Sequence, residues 1–215
     1  KDSQVSIAMN TVDTDFYYSE TNKIRNSLNE TGTPHFLYLG YLVPRKNVNL
    51  LLAAILQLSN KRRDFILDIV GDGSDKEELE TFVENQKIDD LVKFHGFKQK
   101  SELPKFLGSS RAMLFQTDFD IWGLVLNEAM ASGIPCLASK NAGATSDLVV
   151  ENETGFAINY ENIAEVVEKI EFFIDNREKA AQMGQRAADF IRTNVNLETA
   201  ANGFLKAVKI ASGNN

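Results

Sequence analysis

The sequence is poor in the residues that build disulfides and transition-metal sites. Its 215 residues include one cysteine, Cys136, and two histidines, His35 and His95. One cysteine excludes an internal disulfide and a cysteine cluster, and two histidines argue against a histidine-rich metal site. We therefore expect no metal site.

Long apolar runs and an excess of basic residues are also missing. No stretch approaches the roughly 20 apolar residues of a membrane-spanning helix, and no signal peptide is visible. The formal net charge is −7, from 23 Lys and Arg against 30 Asp and Glu, which argues against nucleic acid or an anionic membrane as the main partner. The chain starts with Lys1 rather than Met, which suggests that it is trimmed. Its length and 43% hydrophobic content suffice for the core of one large domain.

From residue 35 onward, apolar runs of strand length alternate with helical patterns. Strands are predicted at 36–40, 65–70, 92–96, 112–115, 136–138 and 154–158. Helices are predicted at 47–58, 74–86, 102–108 and 124–132, and three more follow at 162–175, 178–192 and 197–211. Strands separated by helices indicate βαβ crossovers. We expect an α/β fold, a doubly wound, Rossmann-like parallel sheet of about six strands with helices on both faces.

Residues 1–34 have the features of an entry and linker segment. They suggest a short strand at 4–9, a turn-rich link at 10–17 and a loose helix at 19–30. The remaining chain divides into the sheet domain, 35–195, and a C-terminal helix, 196–215. Within the sheet domain, Ser74 followed by Glu77 predicts a capping box at the start of the second predicted helix.

The stretch 115–139 carries the strongest local signal. A strand ending at Phe115 is followed by an acidic loop and a helix, which Gly133 and Pro135 end before the next strand. The loop turns the N–H groups of Gly123 and Leu124 and the positive helix end toward the edge of the sheet, which favours anion binding.

Small residues recur where the predicted strands end, and in such sheets ligands bind beyond the carboxyl ends of the strands. One such loop is ordinary turn chemistry, but five on the same edge predict a binding site. The loops contain Gly40; Gly71 and Gly73; His95 and Gly96; residues 118–123; and residues 141–144.

Glu128 is an acid on an otherwise apolar helix. Its neighbours three and four positions away are Leu124, Val125, Ala131 and Ser132, none of which is a cation. A buried carboxylate needs a partner. That partner is either a distant cation or backbone donor, or a pair of ligand hydroxyls.

With these motifs in order, the chain resembles the C-terminal, donor-binding domain of retaining nucleotide-sugar glycosyltransferases of GT-B architecture, the glycosyl transferases group 1 family. The resemblance covers nearly the whole chain. It rests on the interdomain-like motif 10–16, the phosphate loop 40–46, the loops 70–73 and 94–97, two acids at 120 and 128 with seven residues between them, the run 128–135 and the loop 143–155.

The resemblance implies a site for a nucleoside-diphosphate sugar, with a UDP- or GDP-sugar as donor and no cofactor or metal. Arg45, Lys46 and the helix beginning near Gly123 would hold the diphosphate, Glu128 the ribose and Asp120 the transferred sugar. Asp120, Lys46 and Arg45 are the predicted catalytic residues. The predicted donor-binding residues are Gly40, Arg45, Lys46, Gly71, Gly73, His95, Gly96, Asp120, Gly123, Leu124, Val125 and Glu128.

Four positions depart from the family pattern. Tyr41 stands where the family has an arginine, Asn47 takes a glycine position, and Asp120 and Asp147 replace glutamates. These changes leave the donor less defined than the fold.

In this architecture the acceptor-binding domain precedes the linker motif, so we expect this chain to bind donor but not to transfer sugar alone. Its partners would be the nucleotide sugar and the missing N-terminal domain. We expect a cytoplasmic enzyme that uses a glycan, lipid or other acceptor, with peripheral membrane contact left open. The alternatives are an epimerase or phosphorylase half of the same architecture, or a catalytically silent binding module.

Overall fold

The computed structural model describes residues 5–27 and 32–212. Six strands form one sheet in the order β3-β2-β1-β4-β5-β6, and every pairing is parallel. The strands are β1 (His35–Leu39), β2 (Ile66–Val70), β3 (Val92–Gly96), β4 (Ser110–Phe115), β5 (Cys136–Ser139) and β6 (Gly155–Ile158). The predicted doubly wound sheet is confirmed.

Nine helices accompany the sheet within the described part of the chain. They are α1 (Thr14–Ser27), α2 (Val48–Ser59), α3 (Lys76–Asn85), α4 (Leu103–Ser109), α5 (Leu124–Ala131), α6 (Gly143–Leu148), α7 (Ile163–Asp175), α8 (Arg177–Asn194) and α9 (Leu197–Ser212). Short 3-10 turns at Pro44–Lys46 and Lys100–Glu102 precede α2 and α4.

The two faces of the sheet each bury a hydrophobic core. Along β1, Phe36 and Tyr38 pack on one side with α2 and α7, and Leu37 and Leu39 pack on the other with α5 and α8. Because both faces are covered, the central strands are apolar at nearly every position instead of alternating with polar residues. This double burial holds the carboxyl ends of the strands along one fixed edge.

The predicted strand at 4–9 is wrong for residues 5–9, and residue 4 lies outside the described residues. Val5 and Ile7 are exposed, and the segment runs beside α9, where the Ser6 hydroxyl donates a 2.6 Å hydrogen bond to the Gly203 carbonyl. A Cβ at Gly203 would lie 2.2 Å from the Ile7 carbonyl oxygen, so this close approach needs glycine.

Helix α1 begins inside the predicted turn-rich link, five residues before the predicted helix start. The Asp13 carboxylate accepts a 3.0 Å hydrogen bond from the Phe16 N–H, which satisfies a free donor of the first turn. The predicted end at residue 30 lies outside the described residues.

Two other local predictions are wrong. Ser74 does not cap α3: its hydroxyl donates to the Asp75 carboxylate, and the helix begins at Lys76. Part of the predicted loop 143–155 is the short helix α6, whose Thr145 hydroxyl is buried and donates to the Ser139 carbonyl.

Candidate functional site

The predicted site lies where the strand order reverses direction. Strands β1 and β4 are neighbours in the sheet, and the chain continues from β1 toward β2 and from β4 toward β5 on opposite sides. The loops after β1 and β4 therefore diverge and leave a crevice at the carboxyl ends of the strands, which is the usual ligand position in such sheets. Lys46 follows β1, and Asp120 follows β4.

Lys46 and Asp120 form an ion pair across this crevice. The Lys46 ammonium lies 2.5 Å from Asp120 Oδ2 and 4.8 Å from the centre of the Phe115 ring. The Lys46 side chain is 5% exposed and that of Asp120 is 20% exposed. The Asp120 carboxylate also accepts a hydrogen bond from the Trp122 N–H. Two of the three predicted catalytic residues therefore meet in a largely buried pair.

The pKa shifts of this pair show what burial does to each partner. Burial lowers the pKa of the Lys46 ammonium, and Asp120 offsets only part of that effect. Burial opposes ionisation of Asp120, but the hydrogen bond and charge of Lys46 outweigh it and hold the pKa of the carboxyl below its usual range. Burial thus acts against the charged form of both groups, and the contact between them acts in its favour.

Arg45 lies at the exposed rim of the same loop. Its guanidinium donates a 3.1 Å hydrogen bond to the Phe119 carbonyl and lies 3.8 Å from Asp120 Oδ2. Half of the side chain is exposed, so its charge is available to solvent or a ligand. The next residue but one, Asn47, has a left-handed backbone with φ 42°, which explains why an asparagine can occupy the family's glycine position. Its amide donates to the Asp118 carboxylate and ties the two loops together.

Helix α5 begins at the crevice. Gly123 precedes it with φ 103°, a conformation that favours glycine, and a Cβ there would lie 3.0 Å from the Phe115 ring. Helix geometry leaves the N–H groups of Leu124 and Val125 without an acceptor inside the helix, at its positive end. The predicted helix start at Leu124 is confirmed, and the predicted anion-binding role of the N–H groups of Gly123 and Leu124 stays a prediction.

Glu128 lies one turn further along α5, and its partner comes from α1. The Tyr17 hydroxyl donates a 2.7 Å hydrogen bond to Glu128 Oε1. Burial raises the pKa of the Glu128 carboxyl, while this hydrogen bond and the charge of Lys100 lower it. The first partner of Glu128 is thus a phenol, which was not among the predicted partners.

Helix α1 holds α5 through residues spaced four apart. Tyr17 contacts Glu128, the Thr21 hydroxyl lies 3.1 Å from the Ser132 hydroxyl, and the Arg25 guanidinium donates a 2.9 Å hydrogen bond to the Ser132 carbonyl. Because side chains at this spacing share one face of a helix, one face of α1 contacts α5 and its C-cap from Glu128 to Ser132.

The glycines after β1 and β2 allow the backbones of the two loops to pack closely together. The Gly40 N–H donates to the Val70 carbonyl, and the Leu42 N–H donates to the Asp72 carbonyl. A Cβ added at Gly71 would lie 1.8 Å from the carbonyl oxygen of Gly40. A Cβ added at Gly73 would lie 2.1 Å from the carbonyl oxygen of Leu42. Their predicted donor contacts stay predictions, because loop packing already accounts for both residues.

One ring nitrogen of His95 contacts a buried carboxylate, that of Asp68. Its Nε2 lies 2.6 Å from Asp68 Oδ1, and His35 Nδ1 lies 2.6 Å from the other oxygen. Asp68 is buried, which opposes ionisation, yet the two histidines hold the pKa of its carboxyl below its usual range. The His95 ring also packs 4.8 Å from that of Phe106. His95 is predicted to line the nucleotide base, and only the part of its ring that faces away from Asp68 and Phe106 can do so. The next residue, Gly96, has φ 68°, a conformation that favours glycine.

A cleft of about 600 Å³ opens at the opposite end of the sheet, beside the starts of β1, β4 and α8. Arg25 and Arg111 line it, but none of the predicted site residues does. Within residues 5–27 and 32–212, no three His, Cys, Asp or Glu side chains come together as a metal site. No helix in these ranges is long and apolar enough to cross a membrane.

Sequence reasoning missed two polar residues at the site, Tyr17 and Asn127. Asn127 is fully buried: it accepts from the Trp122 indole N–H and donates to the Asn10 carbonyl, which ties α5 to the entry segment. An asparagine beside Glu128 in an apolar helix was a usable signal, because a buried amide needs partners. Tyr17 gave no such signal, since its partner is 111 positions away.

The fold is a doubly wound α/β domain, and comparison with known proteins gives its family. Residues 19–190 match the family described as glycosyl transferases group 1. The chain belongs to this family.

Two curated relatives illustrate the range of the family. Sulfoquinovosyl transferase of Arabidopsis thaliana is 29% identical over 176 residues, covering 80% of this chain and 33% of that protein. The GDP-mannose-dependent alpha-(1-6)-phosphatidylinositol monomannoside mannosyltransferase of Mycobacterium tuberculosis is 28% identical over 175 residues, covering 78% and 45%. The chain thus spans less than half the length of these relatives.

Solved structures share the fold. Anabaena HepE, in complex with UDP and glucose, superposes with a TM-score of 0.75 at 22% identity, over 96% of this chain and 55% of that one. The C-terminal domain of the group 1 glycosyl transferase LpcC from Francisella tularensis gives 0.73 at 22% identity, over 86% of this chain and 99% of that one. At these identities the likeness concerns the fold alone.

Proposed function

We propose that this chain is the donor-binding domain of a retaining glycosyltransferase, which moves a sugar from a nucleoside-diphosphate sugar to an acceptor. The observation that carries the proposal is the buried Lys46–Asp120 pair at the reversal of strand order, beside the N-terminus of α5. A cation and helix N–H groups suit a diphosphate, and a nearby carboxylate suits sugar hydroxyls.

Each charged group has one role in the proposal. Lys46, Arg45 and the N–H groups of Leu124 and Val125 bind the diphosphate and neutralise the charge that develops on it as it leaves. Asp120 holds Lys46 and accepts from hydroxyls of the transferred sugar. Glu128 accepts from the ribose hydroxyls. With two cations and a helix terminus available, we propose that the leaving group needs no metal.

The relatives support the choice of donor and the need for a second domain. One relative is named as GDP-mannose-dependent, and one similar structure contains UDP and glucose, so a GDP- or UDP-sugar is the proposed donor. We propose that an acceptor-binding domain completes the enzyme in the cytoplasm. Helix α9 agrees with this, because four of its large apolar side chains are exposed: Leu197, Phe204, Leu205 and Val208.

Calorimetric titration of this chain with UDP, GDP and ADP tests the proposal. We expect weak binding of at least one diphosphate and no sugar transfer by this chain alone. Lys46→Met should weaken binding by about tenfold, since it removes a charge-assisted contact. The control is Lys61→Met, which removes an exposed lysine paired with Glu171 and should leave binding unchanged. No heat with any of the three nucleotides would refute donor binding.

A further inference from the structure

Tyr17 is a buried tyrosine whose only polar side-chain atom reaches the proposed ribose-binding carboxylate. The residue is 1% exposed and packs within the core on the α5 side of the sheet. Its ring lies 5.2 Å from that of Phe16 in an edge-to-face arrangement. A phenylalanine would fill the same space, so packing alone does not account for the hydroxyl, which donates 2.7 Å to Glu128 Oε1.

The phenol is a permanent donor to this carboxylate. Burial first, and then the negative charge of Glu128, raise the pKa of Tyr17 far above its usual value, so the hydroxyl keeps its proton. It occupies one oxygen of Glu128. Among the described residues, no side-chain hydrogen bond engages the other oxygen, which stays available to a ligand.

Two further charged groups face this pair. The Lys100 ammonium lies 4.6 Å from the Phe16 ring centre and 5.7 Å from that of Tyr17, and its charge lowers the pKa of Glu128. Asp13 lies 3.8 Å from the same ammonium. Lys100 is exposed and shared with Asp13, so Tyr17 is the buried and direct partner of Glu128.

We propose that Tyr17 is a positioning residue for nucleotide recognition. Its hydroxyl holds the Glu128 carboxylate in one orientation, so that the second oxygen accepts from the ribose hydroxyls of the bound nucleotide. The inference rests on the proposed donor-binding function and adds a residue that sets the preference for ribose.

The test compares Tyr17→Phe with Tyr160→Phe. Tyr160 is equally buried, and its hydroxyl donates 2.8 Å to the Leu137 carbonyl on the other face of the sheet. Each variant is titrated with the best-binding ribonucleoside diphosphate and with its 2′,3′-dideoxy form. We expect Tyr17→Phe to weaken binding of the ribose form by roughly three- to tenfold and to leave the dideoxy form unchanged. Tyr160→Phe should change neither.

A pH series adds a readout that loss of packing would not move. Removing the phenol should raise the pH below which affinity for the ribose form falls, because Glu128 then loses a group that favours its ionised state. Carbon-13 NMR titration of the Glu128 carboxyl, without nucleotide, should show the same upward displacement. Thermal melts establish that both variants are folded.

The possible outcomes distinguish a failure of the Tyr17 inference from a failure of the proposed donor-binding function. If the wild-type chain binds no nucleotide, or binds ribose and dideoxy forms equally, the ribose contact is wrong and the inference falls with it. If the wild type prefers ribose, Glu128→Gln removes that preference and Tyr17→Phe retains it in full, the donor site stands and the role of Tyr17 is overturned.

Discussion

Neutralising the two members of the Lys46–Asp120 pair should have unequal effects on stability. Asp120→Asn leaves a 5% exposed ammonium without its carboxylate, and an unpaired buried charge is costly. Because Asp120 is 20% exposed, water can replace part of the lost interaction, and we expect a loss of about 2 kcal/mol, below the 3–5 kcal/mol typical of fully buried pairs. Lys46→Met removes the more desolvated charge, while Asp120 keeps the Trp122 N–H and Arg45, so about 1 kcal/mol or less should be lost.

The double variant should resemble Lys46→Met rather than the sum of the single variants, with a coupling of about 1–2 kcal/mol. The pair also predicts the pH dependence. Since the folded pKa of Asp120 is below its unfolded value, the stabilisation is present above about pH 4 and is lost as the pH falls through the folded pKa.

Guanidinium denaturation followed by circular dichroism and by the fluorescence of Trp122, the single tryptophan, measures these free energies. The matched control is Asp64→Asn, which changes a 63% exposed carboxylate paired with Arg62 and should cost less than about 0.5 kcal/mol. Equal losses for Asp120→Asn and Asp64→Asn, or additive single variants, would show that Lys46 does not depend on Asp120.

Three shorter predictions concern the rest of the fold. Gly71→Ala should cost about 3 kcal/mol, because its Cβ would lie 1.8 Å from a backbone oxygen, whereas Gly32→Ala, with no atom within 4 Å, should be near neutral in thermal melts. Asp68→Asn should lower the free energy of unfolding in urea by about 2 kcal/mol at pH 7. This loss should shrink as the pH falls through the lowered folded pKa of Asp68, and equal losses at pH 7 and pH 3 would contradict its role with the histidines. Burial raises the pKa of the Cys136 thiol, so the native protein should not react with Ellman's reagent until it unfolds; rapid labelling of folded protein would contradict this.

The sheet was predictable because its strands are short, buried on both faces and separated by helices. The apolar run 65–70 and the spacing of Val48, Leu51 and Ile55 identify β2 and α2 without any knowledge of their partners. The errors lie where local signals compete. Val5 and Ile7 alternate as a strand does, but no sheet edge pairs with them, and Asp13 rather than a later residue starts α1.

The position of two candidate site residues could be predicted, but their pairing could not. Lys46 and Asp120 were placed at the same edge because both follow strands of a parallel sheet. Their direct contact depends on how the loops after β1 and β4 pack together, and the hydrogen bonds between Asp118 and both Arg45 and Asn47 join segments more than 70 positions apart. The partner of Glu128 depends on how α1 packs against α5, a contact between segments more than 100 positions apart.

The stripe on α1 has a consequence for how this chain tolerates changes in length. Tyr17, Thr21 and Arg25 contact α5 at a spacing of four, and each residue of a helix turns the next by about 100°. An insertion or deletion of one residue between Tyr17 and Arg25 would rotate part of the stripe away from Glu128 or Ser132. Substitutions elsewhere on α1 leave these contacts in place. The number of residues between Tyr17 and Arg25 cannot change, because the three side chains must all face Glu128 and Ser132.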